Sequence, residues 1–138
     1  MGLKKILLVD DDPSVLRCYE RLVKRSGYLP VTEEDGEGLL RRIHQHLDAK
    51  LMILDYQMPK MNGLRLLDRL RERGFNRPVL LISALTSEED REWARRLGVV
   101  RILEKPVETQ TLLACIRAIV DPGLSSGAEE NKRTPAAG

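Results

Sequence analysis

The amino-acid sequence predicts a doubly wound α/β fold built on five parallel strands. Two observations support this prediction. Short apolar runs alternate with longer amphipathic segments along the chain, and the run at residues 79–82 is apolar at every position, as in a strand covered by helices on both faces. The length of 138 residues is that of about one domain, so we expect the strands to share one sheet.

The first half of the chain supplies three strands and two helices. Residues 4–9 form the first strand. A helical face follows, which carries Val15, Leu16, Tyr19, Leu22 and Val23. Residues 28–32 form a weak second strand. Residues 51–54 form the third strand, which ends in Asp55. Between the second and third strands, the face of the second helix carries Leu39, Leu40, Ile43 and Leu47.

The second half continues the same alternation. The third helix covers residues 64–70, and residues 79–82 and 99–103 form the last two strands. Thr86 precedes Glu89 by three positions, a capping-box spacing that predicts the start of the fourth helix. The face of the fifth helix carries Leu112, Leu113, Ile116, Ile119 and Val120. Crossover helices between successive strands predict a parallel sheet.

The composition is that of an ordinary globular domain, with 42% hydrophobic and 32% charged residues and a net charge of +2. This charge is too small to indicate a nucleic acid or a membrane surface as a partner. No apolar run approaches the ~20 residues that span a bilayer, and no secretory signal precedes the first strand. Cys18 and Cys115 are predicted to be reduced thiols in the core. We therefore expect a cytoplasmic protein.

The apolar pattern ends at Asp121. The remaining segment, DPGLSSGAEENKRTPAAG, is rich in Gly, Ser, Pro and Ala and has no periodic apolar face. We therefore predict a folded domain at residues 1–120 and a flexible tail or linker stub at residues 121–138.

Polar side chains follow four of the predicted strands, at the edge where doubly wound sheets bind ligands. Crowded carboxylates repel one another unless a cation neutralises them, and an all-oxygen site suits Mg²⁺. A hydroxyl and an ammonium group beside that cation provide contacts for a bound phosphoryl group. The pattern therefore predicts a site for phosphoryl transfer. Its side chains are those of Asp10, Asp11, Asp55, Ser83 and Lys105.

Four motifs identify a family that this chain resembles: ILLVDDD at 6–12, LDYQMPKMNG at 54–63, LLISA at 80–84 and EKP at 104–106. Together and in this order, they resemble the receiver domain of two-component response regulators, of the chemotaxis-regulator type, over residues 3–120. The resemblance implies a flavodoxin-like (βα)₅ sandwich with strand order 2-1-3-4-5.

The resemblance also implies residue roles. Asp55 would accept a phosphoryl group to form an aspartyl phosphate. Asp11, Asp55 and the backbone carbonyl of Gln57 would bind Mg²⁺, with Mn²⁺ as a possible substitute, and Asp10 would act largely through water. The domain would be a signalling phosphoacceptor that assists its own phosphorylation and hydrolysis, not an enzyme acting on other substrates.

Further roles concern the switch. Ser83 would donate its hydroxyl to the phosphoryl group, and Lys105 would pair with Asp55 at rest. The Lys105–Pro106 peptide bond would be cis. Ile102 stands where most family members carry an aromatic switch residue. This departure leaves the phosphorylation chemistry intact and predicts an unusual read-out.

The implied partners are proteins. The phosphoryl donor would be a sensor histidine kinase or a phosphotransfer protein, and a downstream protein would bind the face formed by the fourth helix, fifth strand and fifth helix. That face could also form a homodimer. Direct nucleic-acid or membrane binding is not expected, because the arginines of the third helix, such as Arg65 and Arg69, interleave with Asp68 and Glu72 as in a solvated, ion-paired face.

Two alternative functions fit parts of the sequence. A haloacid-dehalogenase-type phosphatase would use Asp10 as nucleophile and Asp12 as general acid, but no acidic pair follows Lys105 to hold its metal. Asp12 before Pro13 instead predicts a helix N-cap. A phosphorylation-independent scaffold would explain Ile102. A nucleotide-binding module is disfavoured because no Gly-rich loop follows the first strand.

Overall fold

The computed structural model describes residues 2–84 and 87–123. Strands and helices alternate along this part of the chain, and a 3₁₀ turn at Ile43–Gln45 follows the second helix. The strands are β1 Lys5–Val9, β2 Leu29–Glu33, β3 Leu51–Asp55, β4 Val79–Ser83 and β5 Val99–Glu104. The helices are α1 Pro13–Arg25, α2 Gly36–Arg42, α3 Gly63–Glu72, α4 Glu88–Arg96 and α5 Thr109–Val120.

The strands form one parallel sheet in the order β2-β1-β3-β4-β5, which confirms the predicted doubly wound fold. Successive side chains of a strand point to opposite faces, so the sheet has two cores. One core packs α1 and α5 against one face, and the other packs α2, α3 and α4 against the opposite face. Because β1, β3 and β4 are covered on both sides, their apolar side chains are fully or almost fully buried.

Three local predictions are wrong or fall outside the structure. Leu47 is 40% exposed because α2 ends at Arg42 and the 3₁₀ turn changes the direction of the chain. Cys18 is exposed on α1, whereas Cys115 is buried as predicted. Thr86 lies outside the described residues, and the side chain that caps α4 is that of Ser87, which accepts a hydrogen bond from the Asp90 N–H.

The parallel register brings the strand ends together. Val9 of β1 is level with Leu54 of β3, and Asp55 is level with Ile82 of β4. The residues that follow these strands therefore meet at one edge of the sheet, as the sequence predicts.

Side chains at the opposite edge of the sheet connect distant parts of the chain. The Tyr28 hydroxyl donates to Asp121 Oδ2 at 2.6 Å, and Lys4 forms an ion pair with the same carboxylate. This contact, here called the Asp121 clamp, holds the end of α5 against the starts of β1 and β2. The predicted tail at residues 121–138 lies outside the described residues from residue 124 onward. None of the described helices combines the length and the apolar character needed to cross a bilayer.

Candidate functional site

Three carboxylates meet at the carboxyl edge of the sheet. Asp10 and Asp55 are 6% and 3% exposed, whereas Asp11 is open to solvent. Each offers one oxygen, and these three oxygens lie within 4.8 Å of one another. The three side chains form part of the wall of an open cleft of about 600 Å³.

The turn after β1 holds Asp10 in place. Its Oδ1 accepts a hydrogen bond from the Asp12 N–H at 2.9 Å. The Asp12 side chain in turn accepts from the Ser14 N–H at 2.9 Å and caps α1, with Pro13 at the first helical position. The predicted N-cap role of Asp12 is therefore confirmed.

Lys105 supplies the positive charge of the site. Its Nζ lies 2.7 Å from Asp55 Oδ1. This contact is a close ion pair, and the buried Oδ1 has no other partner among the described residues. The Lys105 N–H donates to the Ser83 carbonyl at 2.9 Å, and the Lys105–Pro106 peptide bond is cis, as the family resemblance implies.

Burial shifts the protonation equilibria of the carboxylates. Loss of solvation, helped by the nearby charge of Asp55, raises the pKa of Asp10 to about 6, although the hydrogen bond from the Asp12 N–H and the charge of Lys105 oppose the shift. Burial also raises the pKa of Asp55, although the Lys105 ammonium group partly offsets this effect. A carboxylate cluster with raised pKa values carries negative charge that a cation would stabilise.

These residues fit a divalent metal ion. Hard cations such as Mg²⁺ prefer oxygen ligands and are typically held by one or two carboxylates with retained waters. The cluster offers three closely spaced carboxylate oxygens beside a solvent-open cleft, and among the described residues buried Asp55 Oδ1 has no partner besides the Lys105 ammonium group. Gln57 also lines the cleft.

The remaining predicted site residues lie at different depths. Ser83 is 1% exposed at the end of β4 and is not among the residues that line the cleft. Ile102 lies on β5, half-buried against the core layer of α2, α3 and α4. Ser83 and Ile102 therefore do not line the cleft. The predicted site residues that do line it are Asp10, Asp11, Asp55, Gln57 and Lys105.

The sequence did not reveal the apolar wall of the cleft. Val15, Tyr19, Pro106 and Val107 line it beside the carboxylates. Burial, followed by the negative charges of Asp10 and Asp55, raises the pKa of Tyr19 to about 12. Val15 and Tyr19 are four residues apart on the predicted apolar face of α1. Their nearness to Asp12 in the sequence is the signal that they lie beside the carboxylates.

Gly63 brings α3 close to the strand that carries Asp55. A Cβ atom at this position would lie 2.5 Å from the Asp55 carbonyl oxygen and 3.1 Å from Tyr56 Cα. The Gly63 N–H donates to the Tyr56 carbonyl at 2.7 Å. Only glycine allows this approach, which fixes the backbone on the far side of Asp55.

The chain is similar to proteins of known class. A family model for the response regulator receiver domain matches residues 6–117. The transcriptional regulatory protein CpxR of Escherichia coli (strain K12) is 37% identical over 118 residues, which are 86% of this chain and 50% of that protein. The regulator PhoP of Bacillus subtilis (strain 168), named for alkaline phosphatase synthesis, is 32% identical over 85% of this chain and 48% of its own length. The chain thus spans about half the length of these curated relatives.

Solved structures give the same result. A CheY-like receiver domain protein from Methanospirillum hungatei JF-1 superposes with a TM-score of 0.80 at 25% identity, covering 88% of this chain and 96% of that one. Chemotaxis protein CheY4 of Vibrio cholerae superposes with a TM-score of 0.77 at 27% identity, covering 86% of this chain and 99% of that one. With the family model matching most of its length, the chain belongs to the response regulator receiver domain family.

Proposed function

We propose that Asp55 is the phosphoacceptor of this receiver domain and that its phosphorylation depends on Mg²⁺. The observation that carries the proposal is the state of Asp55 Oδ1, which is buried and pairs with the Lys105 ammonium group at 2.7 Å, with no other partner among the described residues. Asp55 lies in the same cleft as Asp10 and Asp11, and each of the three offers a carboxylate oxygen within 4.8 Å of the others. These are the surroundings that an anionic nucleophile and a metal-assisted transfer require.

In the proposed reaction, an ionised Asp55 oxygen attacks the phosphorus of a phosphohistidine. A P–O bond forms, the P–N bond breaks, and the imidazole leaves with the bonding electron pair. The Lys105 ammonium favours the ionised form of Asp55 before transfer and pairs with the phosphoryl oxygens afterwards. When bound by Asp11, Asp55 and the Gln57 carbonyl, Mg²⁺ supplies charge neutralisation at the phosphoryl oxygens.

Hydrolysis resets the domain in this proposal. Water attacks the phosphorus, the P–O bond to Asp55 breaks, and inorganic phosphate leaves. The Ser83 hydroxyl contacts a phosphoryl oxygen while the aspartyl phosphate lasts. The domain thus consumes its own phosphoryl group and acts as a signalling switch rather than on an external substrate.

The proposed partners follow from this chemistry. A sensor histidine kinase or phosphotransfer protein supplies the phosphohistidine. A downstream protein or a second copy of this chain binds the face made by α4, β5 and α5. We propose that these reactions take place in the cytoplasm. We propose residues 1–120 as the receiver domain and 121–138 as a tail or linker.

Asp12 argues against the phosphatase alternative in which Asp10 is the nucleophile. That reaction requires Asp12 as a general acid, which at neutral pH needs a raised pKa. Hydrogen bonds from the Ser14 hydroxyl and N–H lower the pKa of Asp12 instead. Asp12 is therefore suited to cap α1 and unsuited to donate a proton.

Acetyl phosphate with Mg²⁺ tests the proposal, with intact mass as the readout. We expect one phosphoryl group on the wild type and none on Asp55→Asn or without Mg²⁺. An adduct that persists in Asp55→Asn and disappears in Asp10→Asn would instead support the phosphatase. Failure of both acetyl phosphate and beryllofluoride to form an adduct with the wild type would support the phosphorylation-independent scaffold.

A further inference from the structure

We propose that a hydrogen bond between Tyr56 and Asp90 latches α4 in its resting position and links α4 to the phosphorylation state of Asp55. This inference rests on the proposed function, because the latch has a signal to transmit only if Asp55 is phosphorylated. The Tyr56 hydroxyl donates to Asp90 Oδ2 at 3.1 Å across 34 positions of sequence. We call this contact the Tyr56–Asp90 latch.

The backbone of Tyr56 is fixed on both sides. Tyr56 follows Asp55 directly, and its N–H donates to the Ile82 carbonyl of β4 at 2.8 Å. Its own carbonyl accepts from the Gly63 N–H at the start of α3. Because these two bonds hold the residue between β4 and α3, the half-buried ring has a defined position relative to Asp55.

Asp90 lies in the first turn of α4. Its N–H donates to the Ser87 hydroxyl, so the carboxylate is tied to the capped start of the helix. Ala94 is the one residue of α4 that is buried, whereas α3 buries five residues along its length. Because α4 buries fewer residues than α3, a single polar contact at its first turn contributes a larger part of the interactions that hold α4 in place.

The chain path between the site and α4 is short. Ser83 ends β4, and only residues 84–87 separate it from the first residue of α4. If Ser83 moves to contact a phosphoryl group on Asp55, the short connection, α4 or both must move with it. The Tyr56–Asp90 latch resists movement of α4, so it favours the resting state, and its loss favours the phosphorylated state by linkage.

Ile102 explains why this contact matters in this chain. Tyr56, Trp93 and Ile102 pack against the same core layer. The Ile102 side chain has no hydrogen-bonding atom, so it cannot form a polar contact with the connection to α4. Tyr56, which directly follows β3, instead makes a polar contact with α4 itself, through Asp90.

Beryllofluoride with Mg²⁺ tests the latch, because it coordinates the carboxylate and mimics a phosphoryl group without a phosphoryl-transfer step. Binding is read by fluorine NMR, and the position of α4 by hydrogen exchange of residues 88–96. Without beryllofluoride, we expect Tyr56→Phe to exchange faster in α4. With it, we expect about twofold to tenfold tighter binding, the range for loss of one net hydrogen bond.

Matched variants separate the latch from a general loss of stability. Tyr28→Phe also removes a phenol that donates to an aspartate, at the opposite edge of the sheet, and should leave beryllofluoride affinity and α4 exchange unchanged. Asp90→Ala should reproduce Tyr56→Phe, and the double variant should add little to either single one. Asp90→Asn keeps an acceptor oxygen and should restore most wild-type behaviour.

Each outcome decides a different point. If the wild type binds beryllofluoride and Tyr56→Phe matches Tyr28→Phe in affinity and exchange, the latch is wrong and the proposed function stands. If Tyr56→Phe and Asp90→Ala add fully in the double variant, the two residues do not act through one contact and the latch is also wrong. If the wild type binds no beryllofluoride, the proposed function fails and the inference fails with it.

Discussion

Asp10 illustrates the conflict between function and stability at the scale of one residue. It is almost completely buried beside two other carboxylates, and its pKa is raised to about 6. The folded state therefore binds a proton more tightly than the unfolded chain does. The stability that Asp10 contributes is complete below about pH 4 and is lost as the pH rises through about 6.

We predict that Asp10→Asn stabilises the metal-free fold at pH 7. The amide has no charge to desolvate and can still accept from the Asp12 N–H, so we expect a gain of about 1–3 kcal/mol in the free energy of unfolding. Urea titrations with a chelator at pH 7 and pH 4 measure it, and the gain should shrink at pH 4. Asp12→Asn is the control and should give no gain, because the pKa of Asp12 is lowered. An equal or reduced stability of Asp10→Asn at pH 7 would contradict this account of the site.

At the scale of elements, the start of α3 depends on a close approach of backbones. Gly63 and Gly36 occupy the first positions of α3 and α2 and provide a matched pair. A Cβ atom at Gly63 would meet backbone atoms of Asp55 and Tyr56, whereas one at Gly36 would meet the Leu66 side chain at an ordinary 3.5 Å.

We predict that alanine at these two glycines has different effects on the free energy of unfolding. Gly63→Ala forces α3 away from the end of β3 and should cost about 1–3 kcal/mol of unfolding free energy. It should also slow phosphorylation by acetyl phosphate, because Asp55 moves with its backbone. Gly36→Ala should be neutral or slightly stabilising, by up to about 1 kcal/mol. Urea titration and intact mass measure both effects, and equal effects at the two sites would refute the close-approach argument.

The elements themselves were largely predictable from sequence. Strands buried on both faces produce continuous apolar runs, and amphipathic helices produce one apolar face, so the types and order of elements follow from local patterns. Cys18 lies outside the predicted face of α1, and applying that periodicity to it would have predicted its exposure. The spacing of Leu47 predicts that it belongs to α2, because helical spacing alone does not show where a helix changes to a 3₁₀ turn.

At the scale of the whole molecule, the Asp121 clamp closes the fold. One carboxylate accepts a hydrogen bond from Tyr28 and pairs with Lys4, which joins the last helix to the first two strands. Lys5 and Asp48 form another lysine–aspartate pair at the surface, in which Asp48 is 76% exposed and contacts no tyrosine hydroxyl among the described residues.

We predict that Asp121→Ala lowers the free energy of unfolding by about 1–2 kcal/mol, because it leaves a mostly buried tyrosine hydroxyl without its charged acceptor. Asp48→Ala removes only a surface ion pair and should cost at most about 0.5 kcal/mol. Thermal or urea unfolding of both variants measures the difference. Equal losses would show that the clamp contributes no more than an exposed pair.

The site was predictable only where strand ends define it. Its charged side chains lie at or just after the ends of strands, so the topology alone brings them together; they are those of Asp10, Asp11, Asp55 and Lys105. Tyr56–Asp90 and Tyr28–Asp121 join residues 34 and 93 positions apart, and no local pattern indicates which side chains meet over such separations. These contacts depend on helix positions, which sequence periodicity does not determine.

The most direct test of the central claim is to locate the phosphoryl group chemically. Borohydride reduces an aspartyl phosphate to homoserine, so the protein is treated with acetyl phosphate and Mg²⁺, reduced, digested and sequenced by mass spectrometry. We predict homoserine at position 55 and unmodified aspartate at positions 10, 11 and 12. Homoserine at position 10, or no homoserine in a protein that carries the phosphoryl group, would contradict the assignment of Asp55 as the phosphoacceptor.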